Sequence, residues 1–255
     1  MRVAIVTPVY KEFFTANERF SISSGYERLK SFDRIFISPQ GVSYSDSIKP
    51  DRTLYFHKKY FKSVSGYNQL MLWRGFYESV AEYDYILIFQ PDAFIFKDSL
   101  MEWCKKGYDY IGAPWPDGVK IHPYSFWNAW RIFRIFPYFN KPKKLYVGNG
   151  GLSLRKVSTA LKILKDHGVV ARHWAGNEDA FWSYYSAKVN GFNNYPDMLE
   201  AGKFSLELGA EELYEINNGI LPFGCHGWEK HSKLFWRNIF KQLNLSLPMQ
   251  NKAEK

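Results

Sequence analysis

The seven-residue run Asp84-Tyr85-Ile86-Leu87-Ile88-Phe89-Gln90 limits the fold more than any other segment of the chain. Between its polar ends it is continuously apolar, rich in β-branched and aromatic side chains, and too short for a helix. That is the pattern of a strand buried on both faces, as in the centre of an α/β sheet. Asp92 then falls just past the carboxyl end of the strand. In open α/β sheets the loops at that edge form a crevice for ligands. A carboxylate there is a hard oxygen ligand suited to Mg²⁺ or Mn²⁺. The plainer alternative is that Pro91-Asp92 makes a turn and Asp98 caps the next helix.

Around this strand the chain alternates between the two periodicities. Strands are expected at Val3 to Val6, Arg34 to Ile37, Thr53 to Phe56, Tyr85 to Phe89 and Tyr110 to Gly112. Helices are expected near Ala16 to Lys30, Gly66 to Ala81 and Ser99 to Lys106, giving an α/β fold. In the helix after Ser65, Leu70, Met71, Trp73, Phe76, Tyr77 and Val80 recur at helical spacing, as core residues do. The turn Thr7-Pro8-Val9-Tyr10 ends the first strand at the same sheet edge as Asp92, where its backbone offers a surface for a base. At 255 residues one α/β domain accounts for the length. We expect it to span 1–249, with a nucleotide-binding half to about 113, an acceptor-side half from 114, and a disordered tail over 250–255.

Three further motifs follow Gln90-Pro91-Asp92 in order. Tyr146 to Leu154 reads as a strand interrupted by Gly148, Gly150 and Gly151, which weaken a strand unless backbone must approach a ligand or adopt positive φ. Asn177-Glu178-Asp179 opens an amphipathic stretch from Ala180 to Val189. Acids in a first helical turn are stabilised by the helix dipole, which predicts an ionised Asp179, though such acids often mark only a helix start. His226 sits in a tight loop, Gly224-Cys225-His226-Gly227, where a structural histidine is the ordinary alternative.

Taken together these motifs resemble the GT-A superfamily of glycosyltransferases, over the core from Arg2 to about Lys233, and more specifically a little-characterised family of GT-A-like proteins. The resemblance implies a single GT-A-like domain, with a Rossmann-like mixed central sheet flanked by helices. It implies a sugar nucleotide donor, a glycan or lipid-linked acceptor, and a divalent metal, Mn or Mg, held by Asp92 and His226. Gly150 and Gly151 would meet the donor sugar, and Gln90, Tyr67 and Asn68 the nucleotide, beside the Thr7, Pro8, Val9 and Tyr10 turn. Asp179 would be the general base of an inverting transfer, with Glu178 orienting an acceptor hydroxyl or supporting the loop. Gln90 departs from the Asp-x-Asp pattern of the superfamily at its first position.

The net charge of +9, from 34 Lys and Arg against 25 Asp and Glu, needs an outlet. Lys58, Lys59 and Lys62 lie where a diphosphate would want cations, although solvated lysines are the plainer reading for at least two of them. Between Lys120 and Lys144 six Lys or Arg and no acid are interleaved with aromatics, Trp127 and Trp130 among them, and a second such stretch runs from Lys230 to Lys241 around Trp236. Both have the makeup of segments that meet an anionic membrane surface, although helical spacing of the same aromatics equally suits helices that cover the core. No nucleic-acid motif is visible, and no apolar run reaches the ~18 residues of a membrane span. The start, Met1 to Val9, reads as a strand and not as a signal peptide. Two cysteines, Cys104 and Cys225, suit a reducing compartment, so we expect the cytosol or the cytosolic membrane face. Two other readings stand beside the transferase. One is a non-catalytic GT-A-like binding protein. The other is a nucleotidyltransferase, disfavoured because the turn after the first strand lacks glycine.

Overall fold

A computed structural model describes residues 1–42, 44, 46–121, 143–191 and 193–248. Its elements run β1 (Val3–Pro8), α1 (Ala16–Arg28), β2 (Asp33–Pro39), β3 (Arg52–Phe56), α2 (Val64–Met71), α3 (Arg74–Glu78), β4 (Tyr85–Phe89) and β5 (Ala93–Ile95). Next come α4 (Leu100–Lys105), β6 (Tyr110–Ile111), β7 (Pro114–Ile121), β8 (Lys143–Val147), β9 (Leu152–Lys156) and α5 (Val157–Arg172). The chain closes with α6 (Glu178–Val189), α7 (Met198–Phe204), β10 (Ser205–Leu206), α8 (Ala210–Ile216), β11 (Gly224–His226) and α9 (Lys233–Gln242).

The main sheet has the order β3-β2-β1-β4-β9-β6. β3, β2, β1 and β4 are parallel, and β9 runs antiparallel to both β4 and β6. β4 is buried at every position, as its composition required. Successive strand residues face opposite sides. Ile86 and Ile88 therefore join a core packed by α2, α3, α5 and α6, while Leu87 and Phe89 join one packed by α1, α4 and α7. β9, from the second half of the sequence, is threaded between two strands of the first.

The continuous helix expected from Gly66 to Ala81 is broken into α2 and α3. Trp73 takes extended backbone, φ −94 and ψ 123, and its ring stacks on Tyr60 with 5.9 Å between centroids. The Met71 carbonyl, orphaned by the break, accepts hydrogen bonds from the Tyr77 hydroxyl at 3.1 Å and the Trp182 indole at 3.2 Å. The break is thus sealed by side chains that the local apolar spacing does not register.

The strand expected across 146–154 is also two strands. β8 pairs with β7 in a separate two-stranded sheet and β9 belongs to the main sheet, with the glycine loop between them.

β10, β11 and β5 form a small third sheet, over which α9 packs. Trp236 is fully buried there, its ring stacked on Phe96 at 5.6 Å. The expectation that it anchors the protein to a membrane is therefore wrong: the aromatic stripe of α9 covers core. Trp127, Trp130 and the 250–255 tail lie outside the described residues. Among the described residues, no helix is long and apolar enough to cross a membrane.

Candidate active site

Two strand pairings assemble the site. In β4 and β9, Phe89 stands opposite Leu152, so the Gln90 amide donates to the Gly151 carbonyl at 2.9 Å and the glycine loop lies beside Gln90. In β5 and β11, Ala93 stands opposite His226, and the Gly227 amide donates to the Asp92 carbonyl at 3.0 Å. His226 Nε2 is then 3.1 Å from Asp92 Oδ1 and 3.2 Å from Gln90 Oε1.

Two residues that no motif singled out complete this cluster. Lys230 Nζ donates to Asp92 Oδ2 at 2.7 Å, and Glu207 Oε1 lies 3.3 Å from His226 Nδ1. Burial alone would push the Asp92 carboxyl up, but His226 and Lys230 outweigh it and hold the group well below the usual carboxylate range. Burial would likewise lower His226, yet Asp92 and Glu207 on either side push it up to about 9. Lys230 reads in the sequence only as part of a basic aromatic stretch. Glu207 follows a two-residue strand and carries no signal of its own.

Asp92 Oδ1 and Gln90 Oε1 both lie beside His226 Nε2, and carboxylate, amide oxygen and neutral imidazole are ligand types that Mg²⁺ or Mn²⁺ accepts. Among the described residues no group of three His, Cys, Asp or Glu is placed to hold a metal ion. A cation here would have to displace Lys230 Nζ from Asp92 and meet His226 in its neutral form, against the pull of the flanking carboxylates, with phosphate oxygens and water completing its shell. Glu207 beyond His226 supplies the carboxylate that commonly orients a ligating imidazole.

The glycines of the loop are required by the protein's own groups. A Cβ on Gly150 would collide with the Glu178 carboxylate, and one on Gly151 with the His226 ring. Glu178 is buried, and its Oε1 accepts from Arg155 Nη2 at 2.9 Å. Arg155, 1% exposed, also donates to the Tyr77 hydroxyl at 3.0 Å and to Ser153 Oγ at 3.1 Å. Ser153 in turn donates to the Gly150 carbonyl at 3.0 Å. The Glu178 carboxylate is thus held under the glycine loop, and Oε2 has no hydrogen-bond partner among the described residues. Arg155 directly follows the glycine-interrupted stretch from Tyr146 to Leu154, but its partner is 23 residues further on, beyond the reach of local pattern.

Asp179 lines the same cleft as Asp92 and His226. The expectation that the helix N-terminus keeps it ionised fails. Burial, reinforced by the adjacent charge of Glu178, outweighs the hydrogen bond from the Ala180 amide and pushes the Asp179 carboxyl up to about 7. A carboxyl that loses its proton near neutral pH is a stronger base than an ordinary aspartate.

The cleft has a volume of about 570 Å³, and Pro8, Tyr10, Tyr67, Asn68, Gln90, Gly150 and Gly151 line it. Thr7 and Val9 do not. Thr7 is fully buried, its hydroxyl accepting from Tyr26 at 3.0 Å, and Val9 is buried with its amide bonded to Ile37 at 2.9 Å. Strand alternation turns both inward and leaves Pro8 and Tyr10 at the opening. The Tyr67 phenol is pushed up by burial and by the charge of Glu178. Of the three lysines considered, Lys62 lines the cleft, whereas Lys58 and Lys59 are exposed on a 3-10 turn and Lys59 lies over the Tyr60 ring at 4.8 Å.

Residues 51–226 match the model of a family described as protein of unknown function, DUF5672, and the chain belongs to that family. Its architecture is the GT-A glycosyltransferase fold. The galactosyltransferase LgtC, solved with donor and acceptor sugar analogues, superposes with a TM-score of 0.52 over 98% of each chain at 12% identity. Core-mannan synthase A from Aspergillus fumigatus, in a form with Mn and GDP, gives 0.46 at 10% identity over 72% of this chain and 69% of its own. Mouse xyloside xylosyltransferase 1 gives 0.48 at 9% identity over 89% and 98%. No curated protein matches the sequence.

Proposed function

We propose that the protein is a glycosyltransferase that moves a sugar from a nucleoside diphosphate donor to a glycan or lipid-linked acceptor, with inversion and with the help of a divalent cation. The observation that carries this reading is one cleft holding both a cluster of metal-ligand types, Asp92, Gln90 and His226, and a carboxyl poised as a base near neutral pH, Asp179. Asp92, His226 and Gln90 would hold the cation. When bound, such a cation neutralises the diphosphate and stabilises charge on the leaving group. Lys230 and Lys62 place further positive charge along the cleft. Tyr10 and Pro8 offer an apolar wall at the β1 end, and Tyr67 and Asn68 offer polar contacts. Asp179 takes the proton of the acceptor hydroxyl as that oxygen attacks the sugar carbon from the face opposite the diphosphate.

A panel of sugar nucleotides with Mn²⁺ tests the donor half. A ligand at about 100 times its Kd should stabilise the native chain by about 2.7 kcal/mol, read as a rise in Tm. Asp92→Ala and His226→Ala should each remove the Mn²⁺-dependent rise while circular dichroism reports an intact fold. Full stabilisation of either variant would contradict the assignment.

A further inference from the structure

A second cleft, of about 480 Å³, adjoins the first and shares Val64, Asn68 and Asn177 with it. The seam is a hydrogen bond from Asn68 Nδ2 to Asn177 Oδ1 at 3.3 Å, which joins the start of α2 to the residue before α6. Beyond the seam the lining is uncharged amide and hydroxyl from Ser65 and Gln69, with Trp174, His173 and Arg172 on the far side, and it contains no carboxylate. Trp174 is nearly buried, and its indole donates to the Asn177 carbonyl at 2.9 Å, which ties the wall of the second cleft to the segment that carries Asp179. Gln69, Arg172 and Asn177 are exposed, and Arg172 has no ion pair among the described residues.

This differs from the chemistry of the first cleft, where Glu18, Asp92, Glu178, Asp179 and Glu207 provide acidity. Amides present donors and acceptors together, as a ring of sugar hydroxyls requires, and a volume of this size falls within the range of small-molecule sites, about 300–1,000 Å³. Asn177, which lines both clefts, stands two residues before Asp179, so the second cleft is open to an acceptor that runs past Asn177 from a reacting hydroxyl at Asp179.

We infer that the second cleft is an acceptor subsite that holds the glycan residues preceding the one that reacts, so that the acceptor is an oligosaccharide and not a lone sugar. The inference rests on the transferase reading above. Its ligand class is a chain of at least two sugars, and Arg172 at the rim favours chains carrying an acidic sugar.

The test uses the full chain against an immobilised panel of mono-, di- and tetrasaccharides, neutral and uronic-acid-containing, for wild type and Gln69→Ala/Arg172→Ala. Wild type should retain di- or tetrasaccharides and not monosaccharides, and the double variant should bind them at least tenfold more weakly. Its Tm rise with sugar nucleotide and Mn²⁺ should equal that of wild type, which also shows that the variant folds. Equal glycan binding by the variant, retention of monosaccharides as firmly as longer chains, or no retention of any panel member while nucleotide still stabilises the protein would each overturn the subsite and leave the transferase reading standing. Absence of nucleotide stabilisation in wild type would overturn the transferase reading, and the subsite with it.

Discussion

Asp179→Asn is expected to lower transfer by about 10² to 10⁴-fold, the typical contribution of a general base, while the Tm rise with donor and Mn²⁺ stays at its wild-type size. The substitution keeps the shape and the acceptor for the Ala180 amide but removes the basic form. Two pH signatures accompany it. With the Asp179 carboxyl pushed up to about 7, wild-type kcat/KM should climb as pH rises through about 7 and the group deprotonates, and the variant should lose that limb.

The second signature is in stability. A carboxyl whose folded pKa is raised above its unfolded value binds protons more tightly when folded. It therefore costs the fold nothing below the unfolded value of 3.8, progressively more as pH rises, and its full amount above about 7. At about 1.4 kcal/mol per pKa unit, the rise from 3.8 to about 7 costs on the order of 4 kcal/mol. Asp179→Asn should accordingly be more stable than wild type at pH 8 and no more stable at pH 4. Near-normal turnover, a product of retained anomeric configuration, or a stability difference that ignores pH would each contradict the assignment. A carboxyl perturbed this far by burial and a neighbouring charge, and lining a cleft, is the mark of a functional group.

The second large effect lies in the buried pair beneath the loop. Arg155→Met should cost about 3–5 kcal/mol in urea unfolding, because removing one partner leaves the Glu178 charge uncompensated in the interior. Tyr77 and Ser153 lose a donor at the same time. Arg155→Met/Glu178→Gln should recover part of the loss, since the stranded charge is gone. A single-variant loss below about 1 kcal/mol, the range of an exposed ion pair, would show that the network is not what holds Gly150 and the first turn of α6 together.

The parts of the molecule that were legible in sequence are those whose cause is local. β4 announced itself because burial on both faces leaves no polar position from Tyr85 to Phe89. Asp92 and His226 were recognised by motif, and pairing of β5 with β11 does bring them together. What escaped reading has distant causes. The break at Trp73 depends on Trp182, more than a hundred residues away, bonding the Met71 carbonyl. Thr7 turns from the cleft because Tyr26 of α1 receives it in the core. The first-turn rule does not reach the ionisation of Asp179 because that rule is local, whereas burial and the neighbouring Glu178 are set by the packed structure. Trp236 shows the same ambiguity in another form: an aromatic stripe at helical spacing suits a membrane surface or a core, and the small β5-containing sheet beneath α9 decides for the core.

The step proposed for this cleft is cleavage of the bond between a sugar and a nucleoside diphosphate. The most direct measurement is release of nucleoside diphosphate from a panel of sugar nucleotides with Mn²⁺, water serving as a slow acceptor in place of a glycan. The account predicts release from at least one donor by wild type, and loss of that release in Asp92→Ala. No release from any donor, with or without oligosaccharides present, or release undiminished in Asp92→Ala, would contradict it.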